Sequence, residues 1–133
     1  MEIRAYQTYN EGEILSLYTS VGWTAYTDHP EVLRKGFDHS LLTLAAYEGE
    51  QLLGIIRVVG DGYTIVFVQD LLVFPEHQRK GVGSALLKAI LDQYRHVRQI
   101  ELATDHTQKT IAVYKSMGFQ EMSEVGCCGF IRV

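Results

Sequence analysis

The sequence predicts an α/β fold: a mixed, mostly antiparallel sheet flanked by helices, in one domain spanning residues 1–133. Three observations predict it. Strand-like apolar runs flank two turn signals, Glu48-Gly49-Glu50-Gln51 and Asp61-Gly62, which is the pattern of consecutive hairpins. After Pro75 the hydrophobic period changes: Val82, Ala85, Leu86, Ala89 and Ile90 fall at i, i+3, i+4, i+7 and i+8, one face of a helix. A strand then follows that helix, and a strand-helix-strand unit pairs its strands in parallel.

The elements follow in order. Glu2 to Tyr6 is a short first strand. Asn10 caps a helix running to about Val21, with Glu13 at the N3 position of a capping box, and Gly22 stops it. Pro30 suits the first turn of a second helix, Glu31 to about Phe37. Leu41 to Tyr47, Leu52 to Val59 and Tyr63 to Phe74 are three consecutive antiparallel strands. The helix from Val82 leads to a strand at Gln99 to Thr104. Thr107 to Met117 is a last helix, stopped by Gly118, and Phe119 to Ser123 and Gly126 to Val133 close as strands.

Composition sets limits on function. A net charge of -4 argues against broad attraction to nucleic acid or to an anionic membrane. Met1-Glu2-Ile3-Arg4 begins no secretion signal, and no apolar run is long enough for a bilayer. Cys127 and Cys128 are adjacent, which gives neither a disulfide framework nor zinc spacing. The expected compartment is the cytoplasm. His29, His39, His96 and His106 show no metal spacing and are expected at the surface, and no metal is expected.

The stretch Gln78-Arg79-Lys80-Gly81-Val82-Gly83-Ser84 carries the most chemical information. A strand that runs into a glycine-containing turn and a helix N-terminus makes an anion site, because backbone N–H groups approach the phosphate and the helix dipole adds positive potential. Arg79 and Lys80 add formal charge. A dinucleotide fingerprint is the competing reading, with Glu101 twenty positions past Gly81, but its third glycine is Leu86 and three antiparallel strands precede it. A P-loop fails because no Gly-Lys-Ser/Thr follows.

Three stretches together resemble the GCN5-related N-acetyltransferase (GNAT) family, and the element order resembles it along essentially the whole chain. Gln78-Arg79-Lys80-Gly81-Val82-Gly83 resembles the family's cofactor motif, Asp70-Leu71-Leu72-Val73-Phe74-Pro75 its fourth strand, and Tyr114-Lys115-Ser116-Met117-Gly118-Phe119 its Tyr-x-x-x-Gly-Phe element. The chain departs from the family where Asn and Ala often precede that Tyr; Thr107 and Thr110 stand there.

The resemblance implies an acyl-CoA N-acyltransferase fold, acetyl-CoA as co-substrate, and direct transfer to a primary amine of a small molecule or protein. It implies that Arg79, Lys80, Gly81, Val82, Gly83 and Ser84 hold the pyrophosphate, with Gln78 shaping the turn. Leu71, Leu72 and Val73 would meet the pantetheine arm through the backbone, and Thr107 and Thr110 lie where a further contact falls. The Val73 N–H would face the thioester oxygen, an oxyanion-type role. Tyr114 is the candidate general acid: a phenol near 10 and a thiol near 8.5 are close enough for useful proton transfer. Tyr114 as a packed helix tyrosine is the plainer reading. Asp70 is the candidate base; the alternatives are a solvent-facing carboxylate or a partner for Arg57. His77 is a second candidate beside the phosphate loop. The acceptor site is expected from the two N-terminal helices and the last hairpin, with Trp23, Tyr26, Asp28 and His29 clustered there and suited to a cationic amine. Trp23 and Tyr26 as core closure is the other reading. Cys127 and Cys128 are expected on a strand, one in and one out. The alternative function is a non-catalytic acetyl-CoA sensor or protein-interaction module on the same fold. A homodimer through the exposed terminal strand is a further expectation.

Overall fold

Asn10 starts the first helix, α1 (Glu11–Ser20), by accepting the Glu13 backbone N–H on its side chain at 3.1 Å. The second arm of the expected capping box is relayed. The Asn10 N–H donates to the Tyr6 hydroxyl at 3.2 Å, and that hydroxyl donates to the Glu13 carboxylate at 2.7 Å. A tyrosine thus stands where a direct carboxylate contact was expected. The structure is a computed structural model that describes residues 1–133. The chain forms two compact units, Met1–Leu102 and Ala103–Val133.

The first unit is a five-stranded sheet with four helices. β1 (Glu2–Ala5), β2 (Leu42–Glu48), β3 (Gln51–Gly60) and β4 (Ile65–Val73) pair in that order, each antiparallel to the next. β5 (Gln99–Leu102) pairs with β4 in parallel. A four-residue helix, α2 (Thr24–Thr27), lies between the two expected N-terminal helices; α3 is Pro30–Asp38 and α4 is Val82–Gln93. The Asp61-Gly62 turn forms around the Asp61 carboxylate, which accepts the Tyr63, Thr64 and Ile65 N–H groups and the Thr64 hydroxyl.

Side-chain alternation sorts the core. Ala45, Tyr47, Leu52, Ile55 and Leu72 pack with Ile14, Leu17 and Tyr18 of α1 and with Leu33 of α3. Helix α4 packs on β2, β3 and β4 and buries Val82, Leu86, Leu87 and Ile90. A bulge in β4 controls which side chains go where. Arg57 pairs with Asp70 and Val58 with Val68, so Gln69 is the extra residue. Without it Val68 and Asp70 would share a face; with it they point to opposite faces.

The second unit holds α5 (Gln108–Ser116) and a short 3-10 turn, Met122–Val125. The Thr107 hydroxyl caps α5 by accepting the Thr110 N–H at 3.3 Å. Gly118, at φ 93°, ends it. The strands expected at Phe119 to Ser123 and Gly126 to Val133 do not form: the first is replaced by a 3-10 turn and the second has no regular structure. Strand residues need a ladder partner, and neither segment has one. Cys127 and Cys128 are both exposed, so the expected in-and-out arrangement is also corrected. No helix is long and apolar enough to cross a membrane.

Candidate active site

The open edge of β4 organises the site. β5 pairs with β4 only at Ile65 to Val68. Beyond the Gln69 bulge, β4 keeps β3 on one side, through Asp70 to Val73 and then a bond from the Phe74 N–H to the Leu53 carbonyl at 3.0 Å. Its other edge has no strand partner from Gln69 onward. Gly54, opposite Val73, permits this close pairing: a Cβ there would lie 2.5 Å from the Leu72 carbonyl oxygen. Leu72 is buried in the core, while Leu71 and Val73 are half-buried.

That edge runs into the turn. The Gln78 side-chain amide donates to the Val73 carbonyl at 3.1 Å, tying the turn to the strand end. Arg79 takes φ 65°, a left-handed conformation that is uncommon for a side chain of this kind, and Gly81 follows at φ 82°. A residue held there costs about 1–3 kcal/mol, a form of strain that clusters at ligand clamps. Gly81 is the N-cap of α4 and no side chain caps the helix, so its first-turn N–H groups are left for another acceptor. Nothing lies within 4 Å of a Cβ built on Gly81, so this approach is open. Arg79, Lys80 and Ser84 are exposed and Val82 is buried in the core. Two left-handed residues, orphan helix N–H groups and two cations suit a pyrophosphate.

Asp70 does not face solvent. It is 1% exposed, and its Oδ2 accepts the Tyr18 hydroxyl at 2.6 Å and the Arg57 Nε and Nη2 groups at 2.8 and 2.7 Å. Arg57 also donates to the Ser40 hydroxyl at 3.1 Å and lies over the Phe37 ring. Burial opposes the Arg57 charge, and the Asp70 carboxylate more than restores it. Burial, and then Asp70, push the Tyr18 phenol far above its ordinary value, so it stays a donor. Asp70 Oδ1 is buried with no protein partner. An orphaned acceptor of this kind calls for an incoming donor or a water.

Trp23 and Tyr26 are brought together: their rings stack at 5.8 Å with an interplanar angle of 23°. Tyr18 meets Tyr26 edge-on at 5.4 Å, and the bulged Gln69 donates its amide to the Tyr26 hydroxyl at 3.2 Å. Asp28 and His29 stand exposed at the junction of α2 and α3. The last hairpin expected to complete an acceptor site is absent, because its strands do not form. Tyr18 and Gln69 are functional candidates that sequence reasoning missed. Tyr18 reads as an ordinary helix position, and its contact with Asp70 spans 52 residues.

In the second unit, Tyr114 is the third residue from the end of a Schellman cap. The Phe119 N–H returns to the Tyr114 carbonyl at 3.1 Å and the Gly118 N–H to Lys115 at 3.1 Å. The Phe119 ring then meets the Tyr114 ring edge-on at 5.9 Å. The Tyr-x-x-x-Gly-Phe spacing is therefore also a physical device that orients the tyrosine. Burial, and then Asp105, push the Tyr114 phenol up, so it remains protonated through neutral pH. The Thr107 hydroxyl donates to that of Thr110 at 2.9 Å.

The acetyltransferase (GNAT) family pattern matches residues 5–119. The chain belongs to the GNAT acetyltransferase family. A solved structure of a GNAT family acetyltransferase from Streptococcus pneumoniae TIGR4 is 40% identical, with a TM-score of 0.89, over 99% of this chain and 96% of that one. A protein of Gibberella zeae named as an acetyltransferase is 32% identical over 80 residues, 58% of this chain. The match covers 44% of that relative, so this GNAT chain spans less than half of its length. The structure of AAC(6')-Iy with a CoA-containing bisubstrate analogue shares the fold at a TM-score of 0.75 and 17% identity, over 99% of this chain and 97% of that one.

Proposed function

We propose that this GNAT protein is an acetyl-CoA-dependent N-acetyltransferase that moves the acetyl group directly to a primary amine of a small molecule or protein, in the cytoplasm. The observation that carries the reading is the free edge of β4 from Gln69 to Val73, which leads into the turn at Gln78 to Ser84 and the uncapped start of α4. Bound acetyl-CoA supplies an activated thioester carbonyl. The chain's own residues would do the rest.

Arg79, Lys80 and the N–H groups from Gly81 to Ser84 bind the pyrophosphate, and Gln78 holds the turn against Val73. The backbone of Leu71, Leu72 and Val73 receives the pantetheine arm as an added strand, with the Val73 N–H toward the thioester oxygen. Thr107 and Thr110 add a hydroxyl contact to that arm. Tyr114 gives its phenolic proton to the departing thiolate; being a weaker acid than a free phenol, it serves by position rather than by driving force. Asp70 receives the amine proton through Oδ1, directly or across one water, since Oδ2 is already engaged by three donors. Trp23 and Tyr26 present aromatic surface to the acceptor, and Asp28 and His29 add polar contacts at its rim.

The test is thiol release from acetyl-CoA across a panel of amines and N-terminal peptides, with products read by mass spectrometry. Acetylated product with stoichiometric thiol release is expected for at least one class. Tight acetyl-CoA binding with no release for any class would overturn the enzyme reading in favour of a sensor.

A further inference from the structure

We propose that Tyr18 and Gln69 are positioning residues for two separate steps: Tyr18, through Asp70, governs removal of the amine proton, and Gln69, through Tyr26, governs how the amine is held. The inference rests on the acetyltransferase reading above and names the residues behind its base and its acceptor wall. Gln69 and Asp70 are neighbours at the bulge in β4, yet each engages a tyrosine hydroxyl from a different N-terminal helix. The Asp70 carboxylate, buried, accepts the Tyr18 hydroxyl of α1 at 2.6 Å. The Gln69 amide, exposed, donates to the Tyr26 hydroxyl of α2 at 3.2 Å. A bulge re-aims neighbouring side chains in this way.

The two contacts serve different chemistry. A hydroxyl that donates to a carboxylate favours its charged form, the form that accepts a proton. Tyr18 is fully buried, and burial and then Asp70 push its phenol far up, so it keeps its own proton and stays the donor. Arg57 of β3 is the other ionisable group on Asp70, and both bind the same oxygen, Oδ2. An arriving proton is thereby directed to Oδ1, which is buried with no protein partner. The Tyr26 contact carries no formal charge. Helix α2 is four residues long, has no side-chain cap and buries no residue. So short a helix holds little by itself. Its Tyr26 ring stacks on Trp23 at 5.8 Å, and the Gln69 amide ties that pair to the open edge of β4. The Tyr18 ring meets Tyr26 and Trp23 edge-on at 5.4 and 6.2 Å, so removing only its hydroxyl leaves the aromatic packing in place.

Steady-state kinetics against pH, with amine binding measured separately, test this. The probes are butylamine, phenethylamine and triglycine, and the fastest acceptor among them is used throughout. Binding is read without turnover from the fluorescence of Trp23, the sole tryptophan. With Tyr18→Phe the acid limb of kcat should move up by about one pH unit, while amine affinity stays within about twofold. Fluorotyrosine in place of Tyr18 is a stronger donor and should move the limb the other way, which keeps the test open where the phenylalanine variant does not fold. Gln69→Leu and Tyr26→Phe should each weaken amine binding about fivefold and leave the pH profile of kcat unmoved. Both delete the same bond, so the double variant should bind no more weakly than either alone. An active chain whose acid limb ignores both Tyr18 changes, or in which the Gln69 and Tyr26 losses add, overturns the inference and leaves acetyl transfer standing. A chain that binds acetyl-CoA and acetylates no amine overturns both.

Discussion

Residues Met1–Leu102 and Ala103–Val133 are held together by different physics. The first unit contains every buried residue of the chain, and the second contains none. The sheet unit is specified by long-range burial, including a buried Arg57–Asp70 pair with Tyr18 across it. The C-terminal unit is specified locally. Thr107 caps α5, a Schellman motif ends it, and Lys115 pairs at 3.1 Å with Glu124 on the surface. Surface pairs of this kind contribute about 0–1 kcal/mol. The comparison teaches that the turn at Gln78 to Ser84 rests on a packed core, whereas Tyr114 is oriented by its own helix end.

The largest expected effect breaks the first side of that comparison. Arg57→Ala leaves the Asp70 carboxylate buried beside an empty space and should cost about 3–5 kcal/mol of stability in denaturant unfolding. Loss of under about 1 kcal/mol would mean that the ion pair is incidental to the sheet unit. Asp70→Asn should restore part of that loss in the Arg57→Ala background, because it removes the unpaired charge.

The next effect sharpens the second side. Tyr114→Phe keeps the ring that meets Phe119 and removes only the hydroxyl, so α5 should stay folded and acetyl-CoA affinity should hold. Turnover should fall about a hundredfold if the phenol is the acid. The sign of its pH dependence follows from the raised phenol. A raised acid keeps its proton below its folded value, so any alkaline loss of turnover in the parent protein should begin above about pH 10 and vanish in the variant. An alkaline limb near pH 8 in both proteins would remove Tyr114 from the role.

The smallest effect tests whether the second unit is locally held. Thr107→Ala removes the α5 cap and should cost about 1 kcal/mol. Hydrogen exchange should quicken in the first turn of α5 and stay unchanged in β2, β3 and α4. A uniform change across the sheet would show that the two units share one cooperative transition.

The pattern of residues made most of the fold legible. Turn signals at Glu48 to Gln51 and at Asp61-Gly62 announce hairpins, and the spacing of Val82, Ala85, Leu86, Ala89 and Ile90 announces α4. The four-residue α2 escaped, because one turn is too short to show a period. The last two strands were expected and did not form, because a strand needs an edge to pair with and a local stretch of sequence does not show one. At the site, the turn at Gln78 to Ser84 was legible because backbone conformation is written locally in glycines. The surroundings of Asp70 were not, since Tyr18 lies 52 positions away and nothing in its own helix marks it.

By itself the sequence determined what local chemistry can determine: the hairpins, the caps at Asn10 and Thr107, the helix stop at Gly118, and a glycine-containing turn at the start of α4. The tertiary structure alone decided which side chains meet. It put the Gln69 bulge where it sends Asp70 toward α1, closed Tyr18 and Arg57 around one carboxylate oxygen, and left the other oxygen and the edge of β4 free. The reason is physical. Caps and turns depend on neighbours a few residues apart, whereas a bulge and a buried ion pair depend on the register between strands and on helices that arrive from elsewhere in the chain.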